Sequence, residues 1–366
     1  MYSRPMAKAI KMLKRKCNKL SLFRKKITDD DVEILSKLIK DGNLTKIDLS
    51  DNNITELGTG YLMQALLPVQ PVANSFESEK IPVSNLEILD LSQNLLGHRG
   101  AELVSDLIRK GKLENVNLGY NNVRSRGAIS VANALTWNPP VETLNLENNS
   151  ICAYGAKALA KSLMGNKKLQ SLNLEANVFG DVGTRLFSEA LLENKILCEL
   201  NLKSALITDL GAGYLANMLK YNTTLLKLDL GGNEISDAGG KLILDALERN
   251  QTIMFLSLKD CAVSKDIQDQ IKTLLERNKK KLENSKEIIN TARKLAMLNL
   301  PNEILCMVLE QYSHMWTAQE RNLLHSILLD PKSLGYIPGG FHKTKFGVQQ
   351  IVDNCKRVRN VHPHFK

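Results

Sequence analysis

Acidic side chains recur at corresponding places in a segment that the chain repeats. The segment has the form LxxLxLxx, and in seven successive copies its x positions hold ten acidic and three basic residues, a net charge of −7. Alternate residues of a strand face the same side, so we expect most of these side chains to share one surface. Such a surface attracts cationic protein partners and repels the phosphates of nucleic acids. The candidate partner-binding residues are Asp48, Asp51, Glu87, Asp90, Glu114, Asn117, Tyr120, Glu142, Asn145, Glu147, Asn173, Glu175, Glu199 and Asp229.

No group of residues has the spacing of a catalytic or metal-binding site. The sequence contains no HExxH motif, no phosphate-binding glycine loop and no recognisable nucleophile and base arrangement. The six cysteines form no CxxC pair, which argues against zinc and disulfides and favours a reducing, cytoplasmic compartment. No apolar run approaches the roughly 20 residues of a membrane span. We therefore predict a non-enzymatic protein with no cofactor, no metal and no transmembrane segment.

The excess positive charge lies at the N-terminus. The whole chain has a net charge of +10, and residues 1–26 contain ten Lys and Arg and no acid. The apolar residues of this region follow three- and four-residue steps, which predicts an amphipathic helix. We interpret residues 1–16 as a basic cap over the end of a repetitive core. Binding to a membrane surface or to an anionic partner is the alternative.

The repeated segment defines nine units, numbered 1 to 9. They begin at Cys17, Leu44, Leu86, Leu113, Val141, Leu169, Leu197, Leu225 and Ile253. Successive units start 27 or 28 residues apart, except for a step of 42 between units 2 and 3. That step contains a Pro- and Ser-rich insertion, residues 67–82, which predicts a surface loop. In most units a stretch of helical periodicity follows and begins near a glycine, which permits close packing or a tight turn.

These residues match the leucine-rich repeat pattern LxxLxLxxN/CxL, and the period resembles that of the ribonuclease-inhibitor type. The resemblance covers residues 17–278. It implies an α/β solenoid of about nine repeats, a horseshoe with a parallel sheet inside and helices outside. It also implies an adaptor, inhibitor or scaffold that holds a protein partner on the concave sheet. Asp and Asn between the two leucines are common in this family, so part of the acidity belongs to the scaffold.

The ninth position of each unit is where the pattern places an asparagine or cysteine. A buried amide at this position satisfies backbone groups where the chain leaves the strand. Lys25 and Ala205 depart from the pattern, and we expect capping at the first and water or a backbone adjustment near the second. The series reads Lys25, Asn52, Asn94, Asn121, Asn149, Asn177, Ala205, Asn233 and Cys261.

Residues 279–366 are predicted to form a helical C-terminal domain, with the preceding helix broken or bent near residues 278–281. The segment 298–312 resembles the opening of an F-box, which docks a Skp-type adaptor of a cullin ubiquitin ligase. A helical cap is the alternative, because Pro at the start of a helix is ordinary. The resemblance assigns adaptor docking to Leu300, Pro301, Ile304, Leu305, Val308 and Leu309.

Two further resemblances concern function. Ran GTPase activators use the same repeat type, and Arg99, Arg124 and Arg126 could contact phosphates in such a protein, although the acidic tail of that family is absent from this sequence. The chain is also similar to the eukaryotic-like effectors that intracellular bacteria such as Legionella inject into the host cytosol. The leading prediction is a module that binds a protein with a basic surface. The alternative is an F-box-like substrate receptor, and a Ran-type activator is less favoured.

Overall fold

The computed structural model describes residues 4–39, 43–67 and 84–297 of the 366-residue chain. By its contacts the chain divides into two compact parts, Met1–Glu276 and Arg277–Lys366. The predicted F-box-like segment and nearly all of the predicted insertion loop lie outside the described residues. The predicted domain boundaries stay predictions.

The repeats form a single parallel sheet in the first part. Neighbouring strands pair in register and in chain order, from the first to the ninth. The middle residue of each strand is the fourth position of its unit, and it is buried in all nine. This alternation of buried and half-exposed residues fixes the register, because a one-residue slip would expose the leucines. The strands are β1 Lys19–Ser21, β2 Lys46–Asp48, β3 Ile88–Asp90, β4 Asn115–Asn117, β5 Thr143–Asn145, β6 Ser171–Asn173, β7 Glu199–Asn201, β8 Lys227–Asp229 and β9 Phe255–Ser257.

Helices alternate with the strands, and each packs against the helix of the next unit. The predicted α/β leucine-rich repeat solenoid is therefore confirmed. The helices are α1 Arg4–Lys14, α2 Asp29–Ile39, α3 Glu56–Leu66, α4 Gly97–Lys110, α5 Arg124–Leu135, α6 Ala153–Gly165, α7 Gly180–Glu193, α8 Asp209–Leu219, α9 Asp237–Arg249 and α10 Lys265–Met297. None of the helices in the described ranges is both long enough and apolar enough to span a membrane.

The last helix differs from the prediction, and the first helix packs against the end of the repeats. α10 is continuous through residues 278–281, so the helix is not broken there, and the alternative of a bend stays a prediction. The sequence there is Asn followed by lysines, and lysine is a good helix former while a single Asn costs little. At the other end, α1 contacts α2 and β1 and buries Met6 and Ala9. The apolar face of α1 is therefore used within the repeat core.

Close helix packing depends on the predicted glycines near the helix starts. A Cβ added at Gly127 would lie 2.6 Å from Val123 Cγ1 and 2.9 Å from Ala101 Cβ. Contacts this short do not occur between real side chains, so only glycine lets α5 approach α4 so closely.

A ladder of buried asparagines runs beneath the ends of the strands. Asn149 Nδ2 donates to the carbonyl oxygens of Leu118 (2.9 Å) and Glu147 (3.0 Å), and its Oδ1 accepts from Asn121 N (3.1 Å) and Val123 N (3.0 Å). Each amide therefore joins its own unit to the preceding one. Corresponding bonds are made by Asn52, Asn94, Asn121, Asn177 and Asn233.

Neighbouring amides serve the backbone where Ala205 replaces the asparagine. An amide at this position would contact the carbonyl oxygens of Leu174 and Leu202. Asn177 donates to the first and Asn233 to the second, both at 2.9 Å. Ala205 N in turn donates to Asn233 Oδ1 at 2.9 Å. The two carbonyl oxygens that an asparagine at position 205 would contact thus receive hydrogen bonds from the asparagines of the units before and after it.

The ladder ends differently at its two termini. At the last unit Cys261 Sγ donates to Leu230 O at 3.3 Å, and burial raises the pKa of this thiol. A protonated thiol is a weak donor, so Cys261 replaces the amide at the end of the series. At the first unit Lys25 supplies only its backbone N–H, which donates to Asn52 Oδ1 at 3.0 Å.

The residue before each ladder position has a positive φ in all nine units. This left-handed conformation turns the chain out of the strand, and it costs a non-glycine residue roughly 1 kcal/mol. Only one unit uses glycine. The residues are Arg24 (53°), Asp51 (54°), Gln93 (54°), Tyr120 (58°), Asn148 (47°), Ala176 (55°), Ser204 (52°), Gly232 (62°) and Asp260 (60°).

Carboxylates of one unit fix the helix start of the next unit. Asp209 accepts from Ser236 N (2.8 Å), Ser236 Oγ (2.5 Å) and Gly239 N (3.0 Å), while Ser236 caps α9 by accepting from Ala238 N. The hydrogen bond from Ser236 Oγ is the main reason that the pKa of Asp209 lies below its usual value. The same set of three bonds joins Asp29 to unit 2 and Asp181 to unit 7.

Candidate protein-binding face

The open face is the side of the sheet that points away from the helices, formed by the x positions of LxxLxLxx. Each of the fourteen predicted partner-binding residues is on it, and none is fully buried. Glu87, Glu114, Tyr120 and Glu142 are exposed, and the other ten are half-buried. The structure thus brings the predicted residues to one surface, where their hydrogen bonds differ from unit to unit.

The acids between the two leucines are engaged by the scaffold. Asp90 Oδ1 accepts from Ser92 N (2.9 Å) and Ser92 Oγ (2.6 Å), and its Oδ2 accepts from Asn117 Nδ2 (3.0 Å). In unit 4 the amide of Asn117 has the same task, accepting from Gly119 N at 3.1 Å. Asp and Asn are interchangeable in this bond because both offer an oxygen two residues before the donor. The same bond is made by Asp48, Asn145, Asn173, Asn201 and Asp229.

Glu147 is held between the neighbouring units 4 and 6. Its Oε1 accepts from Tyr120 OH (2.7 Å), and its Oε2 accepts from Asn173 Nδ2 (3.2 Å). The bond to Glu147 is the main cause of the raised pKa of Tyr120, because it stabilises the protonated phenol. Tyr120 is 43% exposed although its hydroxyl is hydrogen-bonded.

In units 6 to 8 lysines pair with two of the three acids of the open face. Lys203 Nζ lies 2.6 Å from Glu175 Oε1, and Asn201 Nδ2 donates to Glu175 Oε2 at 3.1 Å. Lys227 Nζ lies 2.5 Å from Glu199 Oε1. The hydrogen bond to Glu175 is the main cause of the raised pKa of Lys203. These pairs were missed from the sequence, although their signal is simple: opposite charges at the same position of adjacent units.

Three glutamates in units 3 to 5 form a carboxylate row without a counter-charge. Glu87, Glu114 and Glu142 stand one residue before β3, β4 and β5, and backbone bonds join them: Glu114 N to Glu87 O and Glu142 N to Glu114 O, both 2.8 Å. Parallel strands lie about 4.8 Å apart, so the three side chains emerge side by side. Within the described residues, none of these carboxylates has a hydrogen-bond or ion-pair partner.

The other predicted sites have separate outcomes. Arg99 pairs with Glu56 at 3.3 Å, and Arg124 Nε donates to Asn122 Oδ1 at 3.1 Å, while Arg126 is exposed. All six residues predicted to dock the adaptor lie outside the described residues, so that function stays a prediction. In the described part of the chain, no group of three or more His, Cys, Asp or Glu could hold a metal ion.

Family models and solved structures give the comparisons with known proteins. The model described as Leucine Rich repeat matches residues 165–188 and 221–244, and the model described as Leucine Rich Repeat matches residues 43–64. No curated protein sequence matches the chain significantly. With the nine-unit sheet, the family matches support a leucine-rich repeat protein, and domains of this kind generally mediate protein-protein interaction.

Three solved structures resemble the chain at low identity. The leiomodin-1 actin-binding site 2 is 22% identical with a TM-score of 0.40, over 42% of this chain and 91% of that chain. The tropomodulin C-terminal domain of Caenorhabditis elegans is 16% identical with a TM-score of 0.36, over 51% and 97%. The APL1 leucine-rich repeat domain is 16% identical with a TM-score of 0.35, over 61% and 44%. The fold assignment rests on the strand register and the asparagine ladder.

Proposed function

We propose that the protein is a stoichiometric binding module that holds a basic segment of another protein on the open face of units 3 to 5. The observation that carries this proposal is the carboxylate row of Glu87, Glu114 and Glu142, which has no counter-charge among the described residues. The acids of units 6 to 8 are weaker candidates, because lysines of the same face neutralise Glu175 and Glu199.

Electrostatics favours a cationic segment over other ligands. Three like charges on adjacent strands repel one another, and Lys or Arg side chains of a partner would relieve that repulsion. Such contacts mainly raise the association rate and the specificity, and salt weakens them. Tyr120, held by Glu147 on the same open face but six residues beyond Glu114 along unit 4, would add an exposed aromatic side chain of the kind that protein interfaces favour.

The proposal is tested with a displayed library of random peptides selected on the full chain. We expect the selected peptides to be rich in Lys and Arg, and to bind the triple variant Glu87→Lys, Glu114→Lys, Glu142→Lys at least roughly tenfold more weakly. The matched control reverses three exposed helix acids, Glu102→Lys, Glu193→Lys and Asp245→Lys, with the same change of net charge. Equal losses in both variants, or selected peptides without basic residues, would refute the proposal.

A cytoplasmic location, an effector role and adaptor docking through the segment 298–312 have no support from the described residues. They stay predictions, and the proposed binding does not depend on them.

A further inference from the structure

A continuous stripe of exposed apolar side chains crosses three units at the edge of the sheet where strands lead into helices. Tyr154, Val182 and Leu210 occupy the same position in the first turns of α6, α7 and α8 and are 78%, 57% and 59% exposed. Val178 and Leu206 occupy the same position in the loops of units 6 and 7 and are 50% and 52% exposed. We call these five residues the apolar edge.

Backbone contacts interleave the loop residues with the helix starts. Val178 forms a parallel bridge with Cys152 at the start of α6, and Val178 N donates to Ile151 O at 2.9 Å. Gly180 N donates to Ala205 O at 3.0 Å, which places the loop of Leu206 beside the start of α7. The five side chains therefore follow one another across the units as one surface. None of them belongs to the open face.

Exposed apolar residues elsewhere in the described chain include a second set at the helix ends of units 4 to 7, formed by Trp137, Met164, Leu192 and Tyr221. Leu103, Ile129 and Leu242 are exposed singly on helices. Leu57 and Leu95 lie further along the same edge, in units 2 and 3. Single exposed apolar residues are normal in proteins, whereas a contiguous apolar patch marks an interaction site.

Opposite charges flank the apolar edge, with Arg126 in the first turn of α5 on one side and Glu234 in the loop of unit 8 on the other. Arg126 is exposed two units before Val182, in unit 4, and Glu234 is exposed two units after it, in unit 8. Neither side chain has an ion-pair or hydrogen-bond partner among the described residues. Along this edge a basic residue in unit 4 is thus followed by apolar residues in units 5, 6 and 7 and by an acidic residue in unit 8.

We propose that the apolar edge is a homodimer interface in which a second copy of this chain packs antiparallel about a twofold axis near Val182. A twofold interface requires a self-complementary surface, in which a residue of one copy meets a different residue of the other and the reverse. Turning the edge by half a turn places Arg126 of each copy opposite Glu234 of the other and leaves the apolar residues face to face. The charge pattern selects this register, and burial of five apolar side chains from each copy supplies the driving force.

Sedimentation velocity on the full chain, from about 1 to about 100 µM, tests the proposal because this range covers dissociation constants typical of moderate dimers. We expect the wild type to dimerise and Val182→Glu and Leu210→Glu to be monomers. A glutamate in the first turn of a helix is favourable, so both variants should fold as the wild type does. Leu242→Glu, at an exposed apolar site on α9, is the control and should remain a dimer. A wild type that is monomeric throughout, or a Val182→Glu variant that dimerises, would overturn the proposal.

Charge exchange tests the antiparallel register separately. Arg126→Glu and Glu234→Arg alone should each weaken the dimer at least roughly tenfold, since each places like charges opposite one another twice. An equimolar mixture of the two single variants should dimerise again, because every pair across the interface is then opposite in sign. The double variant Arg126→Glu, Glu234→Arg should also dimerise. Failure of both combinations to recover the dimer would overturn the register.

Discussion

Units 3 to 5 and units 6 to 8 of the open face share one backbone and differ in what their carboxylates contact. In units 3 to 5 the side chains of Glu87, Glu114 and Glu142 have no partner among the described residues. In units 6 to 8 Glu175 and Glu199 lie against Lys203 and Lys227 of the following units. From the sequence alone, all of these acids are equal candidates for partner binding. The structure shows that, among the described residues, the following unit supplies a counter-ion to Glu175 and Glu199 but not to the carboxylate row.

The largest loss of stability is expected when the asparagine ladder, which runs through units 3 to 5 and units 6 to 8 alike, is interrupted. Asn149→Ala removes an amide that serves Leu118 O, Glu147 O, Asn121 N and Val123 N in the interior. Unsatisfied buried groups are costly, so we expect the free energy of unfolding in urea to fall by about 3 kcal/mol. Asn133→Ala on the exposed side of α5 is the control and should change it by less than about 0.5 kcal/mol. Similar values for the two variants would show that the ladder is dispensable.

A second comparison, again of stability, is between a carboxylate that is hydrogen-bonded within the repeats and one that has no partner among the described residues. Asp209→Ala loses three hydrogen bonds and the support of the Ser236 cap, so we expect a loss of about 2 kcal/mol at pH 7. Glu114→Ala, from the carboxylate row, should cost less than about 0.5 kcal/mol, because it breaks no bond and relieves repulsion.

The pH dependence of Asp209 gives a further check on the same pair. The pKa of Asp209 is lowered in the folded protein, so the stability from its ionised form is complete above the unfolded pKa of about 3.9 and is lost as pH falls through the folded value. The difference between wild type and Asp209→Ala should therefore narrow below about pH 4. A difference that stays constant to pH 2, measured by urea unfolding, would contradict this account.

Much of the frame could be predicted from the sequence, because it depends on residue types that recur every 27 or 28 positions. The centre of each strand and the asparagine ladder follow directly from LxxLxLxxN. The pairing of Glu175 with Lys203 could not be read from single units, since it depends on registering two units against each other. Val178 and Val182 of the apolar edge lie at positions that the repeat pattern does not define. Other units have different residue types at these positions, so the apolar edge becomes visible only in the structure.

A smaller effect is expected at the left-handed position that all nine units share. Ala176 has φ 55° on the open face of unit 6, whereas unit 8 has Gly232 at φ 62°. Ala176→Gly should raise the free energy of unfolding by about 0.5 to 1 kcal/mol, because glycine adopts this conformation without strain. Gly232→Ala should lower it by at least about 1 kcal/mol, since the added Cβ would also lie 2.7 Å from Ser204 Oγ. Changes of the same sign in urea unfolding would contradict a shared conformation.

The smallest change in stability, and the sharpest test of the two halves, comes from freeing the paired carboxylates. Lys203→Gln with Lys227→Gln leaves Glu175 and Glu199 without counter-ions, so the free acidic surface would extend from unit 3 to unit 7. Exposed ion pairs contribute little, and the free energy of unfolding should fall by less than about 1 kcal/mol.

Binding of a labelled octalysine peptide should instead become roughly threefold to tenfold tighter in low salt and return to the wild-type value as salt screens the charges. The control Lys157→Gln with Lys241→Gln removes the same charge from exposed positions on α6 and α9. If that variant tightens binding equally, the peptide responds to net charge alone. If only the first variant does so, the lysines of units 7 and 8 are what limits the binding surface to units 3 to 5.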